Sequence, residues 1–234
     1  MMRIVGFVNT SLVDWDGRVS SVIFLPGCNF RCPFCHNREL VLSPGSVPEV
    51  DHDSMMLYLE ENSDFLDGVV ITGGEPTIHS DLPDLITDLS SIGLRVKLDT
   101  NGSNPSMLLD LIDSGLVESV AMDIKGPLDE RYDDICGVKA PLENIKRSIS
   151  ILMDSEIEHE FRTTIVPHLI KEGEVESIAA FIGGARKYAL QQFRPGVTLD
   201  DRLSKIDPYP TERIRNMAEL AKQYVRRVVI RGEI

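Results

Sequence analysis

The feature of this sequence that most restricts its fold is a repeated alternation of short apolar runs with segments that carry apolar residues at helical spacing. In the first complete unit, Val69 to Ile71 is typical of a short buried strand, and the apolar pattern from Leu82 to Leu89 predicts a helix that Gly93 ends. The same alternation predicts further strands at 94–98, 116–124, 159–166, 188–193 and 225–230, and further helices at 105–114, 141–152, 175–182 and 211–224. Strands that alternate with helices through short connections pair in parallel by right-handed crossovers. The sequence therefore predicts an α/β fold, which an open doubly wound sheet and a barrel both satisfy.

The first part of the chain adds two short β-type runs, residues 3–9 and 19–25, with a turn predicted at Asp16-Gly17 between them. The second run leads directly into a cysteine-rich loop, and a helix is predicted at 51–63. At 234 residues and 42% apolar composition, the chain has the length and the apolar content for one core. We therefore expect a single domain over residues 1–234.

Charge and cysteine usage limit the partners and the compartment. The chain has 24 Lys and Arg against 37 Asp and Glu, a net charge of −13, whereas a nucleic-acid partner needs a basic face. No apolar run approaches the roughly 20 residues of a membrane span. The N-terminal region, with Asp14 and Asp16, lacks the apolar stretch of a signal peptide, and the cysteine pattern is no disulfide framework. We expect a cytoplasmic protein that binds neither nucleic acid nor membrane.

Three of the four cysteines, Cys28, Cys32 and Cys35, lie within eight residues of a loop that glycine and proline keep from being a regular helix. Three convergent thiolates are typical of a site for a soft metal. A structural zinc site would need His36 as its fourth ligand, and two adjacent residues have difficulty in pointing at one ion. Residues 32–36 also fit the pattern of c-type haem attachment, which belongs to exported proteins. The third hypothesis is a 4Fe-4S cluster held by three cysteines, with one iron open to a ligand that is not protein.

The spacing C-x3-C-x2-C, with Phe34 before the last cysteine, resembles the cluster loop of radical S-adenosylmethionine (SAM) enzymes, and Cys35-His36-Asn37 is similar to the form found in activases of glycyl radical enzymes. The resemblance implies that Cys28, Cys32 and Cys35 bind a 4Fe-4S cluster, that Phe34 lies at the cofactor, and that SAM chelates the open iron. It implies reductive cleavage of SAM to a 5′-deoxyadenosyl radical, so that the cofactors carry the oxidoreductase chemistry and no side chain is catalytic. Because it covers nearly the whole chain, it also implies a partial (β/α)6 TIM-like barrel of the radical SAM type.

A second motif, Thr72-Gly73-Gly74-Glu75-Pro76, follows the strand predicted at 69–71. Two glycines let backbone approach a ligand closely, although a glycine turn alone is also an ordinary tight turn. Together with the cysteine loop, the run resembles the GGEP segment of the same enzymes. The resemblance implies that Gly73, Gly74 and Glu75 contact the methionyl amino group of SAM.

Acidic residues lie at the ends of the next two predicted strands: Asp99-Thr100-Asn101-Gly102 follows one, and Asp123-Ile124-Lys125 closes the other. Taken alone, Asp99 would be a turn or capping residue, and Lys125 a member of a surface ion pair. In activases similar to pyruvate formate-lyase activating enzyme, the aspartates at these two positions bind a monovalent cation that contacts the SAM carboxylate. The resemblance therefore implies a cation at Asp99 and Asp123, with Lys125 beside them, and carboxylate oxygens suit a hard cation.

Two arginines complete the candidate SAM site. Arg162 lies inside the strand predicted at 159–166, where a charge in an apolar pattern needs a partner. The resemblance makes it a SAM contact, and a structural ion pair is the alternative. The run Gln191-Gln192-Phe193-Arg194-Pro195-Gly196 resembles the barrel-type activases of anaerobic ribonucleotide reductase. Arg194 would then reach either the adenosine side of SAM or a peptide substrate.

The remaining cysteine and histidines are assigned no chemistry. Cys136 stands alone in the sequence and is expected to be structural. The histidines outside the cysteine loop share no metal-ligand spacing and are expected at the surface or in loops; they are His52, His79, His159 and His168.

Three functions follow from these features. The first is an anaerobic activase that makes a glycyl radical on a partner enzyme, most directly an anaerobic ribonucleotide reductase, with reduced flavodoxin or ferredoxin as the implied electron donor. The second keeps the chemistry but acts on a small molecule, as 7-carboxy-7-deazaguanine synthase does. The third is an electron-transfer or metal-binding protein without enzymatic activity. Turnover of SAM separates the third function from the first two.

Overall fold

The computed structural model describes residues 2–232, in which strands and helices alternate as the sequence predicts. The strands are β1 (Gly6–Ser11), β2 (Ser20–Leu25), β3 (Gly68–Gly73), β4 (Arg95–Thr100), β5 (Ser119–Asp123), β6 (Glu158–Ile165), β7 (Tyr188–Gln192) and β8 (Val228–Arg231). The helices are α1 (Arg38–Leu42), α2 (His52–Glu61), α3 (Leu82–Ser91), α4 (Pro105–Asp113), α5 (Arg131–Cys136), α6 (Leu142–Asp154), α7 (Glu172–Phe181) and α8 (Thr211–Ala221). The strand order in the sheet follows the chain from β1 to β8. The predicted α/β class is confirmed.

Contacts among the described residues divide the chain into two compact units. The first unit comprises residues 2–29, 39–100 and 106–120, and the second comprises residues 30–38, 101–105 and 121–232. The expectation of a single domain over residues 1–234 stays a prediction. None of the helices within residues 2–232 has both the length and the apolar character that a membrane span requires.

In the first unit, β1 pairs antiparallel with β2, and β2, β3 and β4 pair in parallel. Trp15, Val22 and Val70 form a buried cluster of this unit. The register places Leu25, the last residue of β2, opposite Gly73, the last residue of β3. Because parallel strands end at the same edge, the segment that leads to Cys28 lies beside the Gly73-Gly74-Glu75 turn.

In the second unit, β6, β7 and β8 pair in parallel. The buried carboxylate of Glu160 joins these three strands: it accepts hydrogen bonds from Arg231 at 2.7 and 2.9 Å and forms an ion pair with Lys187 at 2.8 Å. Burial alone would raise the pKa of Glu160, but the hydrogen bonds from Arg231 and Lys187 hold it below its usual range. The final strand is therefore attached to its neighbours by paired charges as well as by the sheet.

The structure differs from the sequence predictions in the bounds of several elements, in two short helices and in the position of one histidine. Helices α1 and α5 were not predicted, because they have only five and six residues and carry too few apolar positions for a helical period. His159 was expected at the surface or in a loop, which is wrong: it lies on β6 with 4% exposure, against the ring of Phe161. Burial lowers its pKa, so the imidazole is accommodated in its neutral form.

The Glu160→Gln variant should lose about 3 kcal/mol of unfolding free energy, because it takes the buried carboxylate away from two half-buried cations. Urea unfolding of the apo protein measures this loss. The matched control is Glu219→Gln, which removes the exposed partner of Lys222 and should cost less than about 1 kcal/mol. Because folding depresses the pKa of Glu160, its contribution is complete above its unfolded pKa of about 4.5 and is lost as pH falls through the folded value. Equal losses in the two variants would contradict this role of Glu160.

Candidate cofactor site

In the first unit, backbone hydrogen bonds join the glycine turn, Gly73-Gly74-Glu75, to the segment before Cys28. The amide of Gly74 donates to the carbonyl of Leu25 at 2.9 Å, and the amide of Glu75 donates to the carbonyl of Gly27 at 2.8 Å. The carbonyl of the intervening Pro26 lies 2.8 Å from Nε2 of His79. These contacts set the conformation of the chain immediately before the half-buried Cys28.

Gly74 is a position where only glycine fits. A Cβ added there would lie 1.7 Å from the carbonyl oxygen of Gly27, far inside van der Waals contact. Gly73 has a φ of +115°, and a Cβ on it would lie 2.5 Å from both the nitrogen and the oxygen of Leu25. The two glycines are therefore required by backbone-to-backbone packing beside the cysteine segment.

Glu75 is a buried carboxylate, with 1% exposure. Its Oε1 accepts hydrogen bonds from the hydroxyls of Thr77 and Thr100, both at 2.6 Å, and from the Thr77 amide at 3.1 Å. Three donors on one oxygen fix the orientation of the carboxylate. No role was predicted for either threonine, although Thr100 belongs to the motif that begins at Asp99 and Thr77 directly follows the glycine motif.

Asp99, at the end of β4, has a cationic neighbour in its own unit. The ammonium of Lys97 lies 3.5 Å from Oδ1 of Asp99 and donates a 2.5 Å hydrogen bond to the carbonyl of Asp14. Both side chains of the pair are largely buried.

The second unit contains Cys32 and Cys35, which belong to a turn in which the Cys35 amide donates to the Cys32 carbonyl at 3.0 Å. A segment that follows β7 holds this turn. The amide of Leu199 donates to the carbonyl of Cys35 at 3.0 Å, and the amide of Asp200 donates to the carbonyl of Pro33 at 2.9 Å. Cys32 and Phe34 are buried and Cys35 is half-buried.

His36 also binds the segment that follows β7. Its Nε2 lies 2.9 Å from the carbonyl oxygen of Arg194, and its ring stacks on Phe193 with the centroids 6.3 Å apart. Because Nε2 is engaged with a backbone carbonyl, this geometry favours a tethering role for His36 over that of a fourth zinc ligand. Arg194 itself is exposed.

Asp123, Lys125 and Arg162 form one charged group in the second unit. Arg162 Nε donates to Oδ1 of Asp123 at 2.6 Å, and Lys125 Nζ donates to Oδ2 at 2.9 Å. Burial opposes ionisation of Asp123, but the two cations hold its pKa well below its usual range, while burial of Lys125 is outweighed by Asp123 and by Cys32, which raise its pKa. Lys125 is therefore charged and within electrostatic range of a cysteine of the loop.

Helix α5 contributes a tyrosine to this group and carries the remaining cysteine. The buried hydroxyl of Tyr132, on α5, accepts a hydrogen bond from the Lys125 amide at 3.0 Å. Cys136, at the end of the same helix, is fully buried; its thiol lies 3.4 Å from the Val138 carbonyl, and its own carbonyl accepts from the Arg31 amide. Burial raises the pKa of the Cys136 thiol, which favours the predicted structural role.

The chemistry of these side chains fits the cofactors that the resemblance implies. Three thiols suit iron, the carboxyl group of Glu75 suits an ammonium group, and Lys125 with Arg162 suits a carboxylate. Within residues 2–232, no three His, Cys, Asp or Glu side chains are already arranged around a common metal position. The assignment of Cys28, Cys32 and Cys35 as ligands therefore rests on their chemistry and spacing, and it stays a prediction, as do the SAM contacts.

The Gly74→Ala variant should lose about 2 kcal/mol or more of unfolding free energy, because the new methyl group must push the Gly27 backbone away. It should also bind less iron on reconstitution, because Cys28 directly follows the displaced Gly27 and would move with it. Urea unfolding and iron content per chain measure the two effects. Gly45→Ala is the control, since a Cβ at Gly45 meets nothing within 4 Å. Wild-type stability and iron content in Gly74→Ala would contradict this account.

The Glu75→Gln variant tests whether the charge of Glu75 serves SAM. An amide oxygen can accept the same three hydrogen bonds, so unfolding free energy should change by only about 1 kcal/mol. Affinity of the cluster-loaded protein for SAM should fall about tenfold, measured by calorimetry, because the variant cannot pair with an ammonium group. The exposed Glu61→Gln on α2 serves as control. Unchanged SAM affinity in Glu75→Gln would indicate that Glu75 has a structural role only.

Comparison of this chain with known proteins identifies its family. The model of the Radical SAM superfamily matches residues 22–182. A protein of Methanocaldococcus jannaschii named "Putative glycyl-radical enzyme activating enzyme" is 35% identical over 235 residues, which cover 97% of this chain and 94% of that relative.

Two solved structures show the fold. SuiB of Streptococcus suis superposes with a TM-score of 0.68 at 16% identity, over 90% of this chain and 49% of SuiB, so this chain spans about half of that protein. A domain of pyruvate-formate lyase-activating enzyme from Bacteroides vulgatus superposes with a TM-score of 0.57 at 17% identity, over 70% of this chain and 99% of that domain. The partial barrel of the radical SAM type, predicted from the resemblance, is confirmed. The chain belongs to the radical SAM superfamily.

Proposed function

We propose that this protein is an activating enzyme that generates a glycyl radical on a partner enzyme. The observation that carries the proposal is the identity of 35% with a relative of that name along almost the entire length of both chains. The Cys35-His36-Asn37 run, similar to that of such activases, supports it.

In this proposal Cys28, Cys32 and Cys35 hold the 4Fe-4S cluster, and SAM binds at its open iron. When bound, the reduced cluster supplies one electron that cleaves SAM to methionine and a 5′-deoxyadenosyl radical, which takes a hydrogen atom from a glycine Cα. Glu75, fixed by its threonines, pairs with the SAM amino group. Lys125 and Arg162, oriented by Asp123, attract the SAM carboxylate.

The segment that follows β7 supports the cysteine loop from within the second unit. Leu199 and Asp200 hold the backbone at Cys35 and Pro33, Arg194 binds His36 through its carbonyl, and Arg38 on α1 pairs with Asp201 at 2.6 Å. Contacts of this kind restrict the loop to one conformation, which a cluster bound by only three thiolates requires. The exposed Arg194 side chain is then available to the adenosine side of SAM or to a peptide of the partner.

The finer assignments belong to the same proposal. We infer that the partner is an anaerobic ribonucleotide reductase, because residues 191–196 and the run from Lys97 to Pro105 resemble the activases of that reductase. Reduced flavodoxin or ferredoxin would supply the electron, and the oxygen-sensitive cluster suits an anaerobic cytoplasm.

Alanine variants of the cysteines test the cluster. Cys28→Ala, Cys32→Ala and Cys35→Ala should each lose the 4Fe-4S absorption and form no 5′-deoxyadenosine, because a cluster with two protein ligands is not retained. Cys136→Ala should keep both, with a loss of about 1 kcal/mol of unfolding free energy for the smaller buried side chain. Iron content and 5′-deoxyadenosine formation after anaerobic reconstitution measure cluster retention and activity in each variant. Full activity in any of the first three variants, or cluster loss in Cys136→Ala, would contradict the ligand assignment.

The substrate is tested separately, by electron paramagnetic resonance on the reconstituted protein mixed with SAM, reductant and the anaerobic ribonucleotide reductase of the same organism. A glycyl radical doublet, with deuterium carried from labelled glycine into 5′-deoxyadenosine, supports the proposal. Formation of 5′-deoxyadenosine only with a small molecule would favour the alternative similar to 7-carboxy-7-deazaguanine synthase. Absence of SAM cleavage under all conditions would favour an electron-transfer protein.

A further inference from the structure

The Lys97–Asp99 ion pair of the first unit bears on how SAM is bound. The resemblance to pyruvate formate-lyase activating enzyme implies a monovalent metal cation at Asp99 and Asp123. We propose that Lys97 supplies the positive charge at Asp99, and that SAM binding by this protein needs no added monovalent metal cation. The inference rests on the proposed use of SAM and goes beyond it.

The ammonium group of Lys97 is buried within the first unit. Lys97 and Asp99 lie two residues apart on β4, so their side chains point to the same face of the sheet. The register places Lys97 opposite Val70, which belongs to the buried cluster with Trp15 and Val22. The lysine side chain is 4% exposed and that of Asp99 is 13% exposed.

Burial of this kind requires that the ammonium be compensated. An ammonium beside an apolar cluster is strongly disfavoured unless it is paired and hydrogen-bonded. Lys97 meets this requirement with Oδ1 of Asp99 at 3.5 Å and the carbonyl oxygen of Asp14 at 2.5 Å. The same ion pair places a positive charge beside Oδ1 of Asp99. A potassium or sodium ion brought to Asp99 would meet a fixed positive charge there.

Asp123 is compensated in the same way inside the second unit. Its Oδ1 accepts from Arg162 at 2.6 Å and its Oδ2 accepts from Lys125 at 2.9 Å, so both oxygens already have cationic partners. The formal charge of these three side chains taken alone is −1 + 2 = +1. Such a group attracts an anion, such as the SAM carboxylate, and disfavours a metal cation, which needs carboxylate oxygens of its own.

The primary experiment uses the cluster-loaded wild-type protein. SAM affinity is measured by calorimetry, and by the change of the reduced cluster's paramagnetic resonance spectrum, in about 100 mM choline chloride, KCl or NaCl, so that screening is constant. We expect the three affinities to agree within about twofold. A gain of about tenfold or more in KCl or NaCl over choline would overturn the proposal. Absence of SAM binding in all three salts would overturn the SAM assignment itself, and this inference with it.

The Lys97→Met variant tests the lysine directly. In choline chloride its SAM affinity should fall at least about tenfold, and KCl should restore it, because a potassium ion can then occupy the place of the ammonium. Lys146→Met is the matched control: it removes an ion-paired lysine from the surface of α6 and should bind SAM as the wild type does in every salt. Wild-type affinity of Lys97→Met in choline would overturn the proposal.

The apo protein gives a readout without cofactors. In Lys97→Met the urea midpoint should be lower than in the wild type, and it should rise with KCl over choline, whereas the wild-type midpoint should not. If Lys97→Met does not fold, the charge-neutral Lys97→Met/Asp99→Asn variant should restore folding, because it removes the uncompensated carboxylate as well. Failure of the double variant to fold, or an equal response of the wild type to KCl, would overturn the proposal.

Discussion

The contact on which the candidate site depends is the pair of backbone hydrogen bonds from Gly74 and Glu75 to the carbonyls of Leu25 and Gly27. It brings the end of β3 so close to the segment before Cys28 that any Cβ at Gly74 would overlap the Gly27 carbonyl. The glycine motif is therefore as much a requirement of packing as of ligand access. A change at either glycine would alter the position of Cys28 and of the Glu75 carboxylate together.

Four carboxylates among the described residues each have polar or cationic partners in their own unit. Glu75 is stabilised by threonine hydroxyls, Asp99 by Lys97, Asp123 by Lys125 and Arg162, and Glu160 by Lys187 and Arg231. These partners lower the desolvation cost that each carboxylate would have as an isolated charge. In our proposal the cationic partners also decide which ligands the two aspartates accept, so that they favour an organic anion over a metal ion.

The cysteine loop depends on residues far along the chain. Pro33, Cys35 and His36 are held by residues 194–200, which follow β7. Arg194, in the segment 191–196 that resembles ribonucleotide reductase activases, thus helps to set the conformation of the loop through its backbone carbonyl. A partner that binds this segment would act on the loop through the same hydrogen bonds, since neither part can move alone without breaking them.

By itself the sequence determined the α/β class, the order of most elements, and the residues of the cysteine and glycine motifs, because apolar period and ligand spacing are local properties of the chain. It did not determine which charges are paired. No role was predicted for Lys97, and only the register of β3 and β4 places it against Val70 beside a buried cluster. The burial of His159 against Phe161 on β6 is likewise a tertiary contact. The hydrogen bonds from Thr100 to Glu75 and from Leu199 to Cys35 join residues 25 and 164 positions apart, so only tertiary structure, which sets strand register and loop return, could decide them.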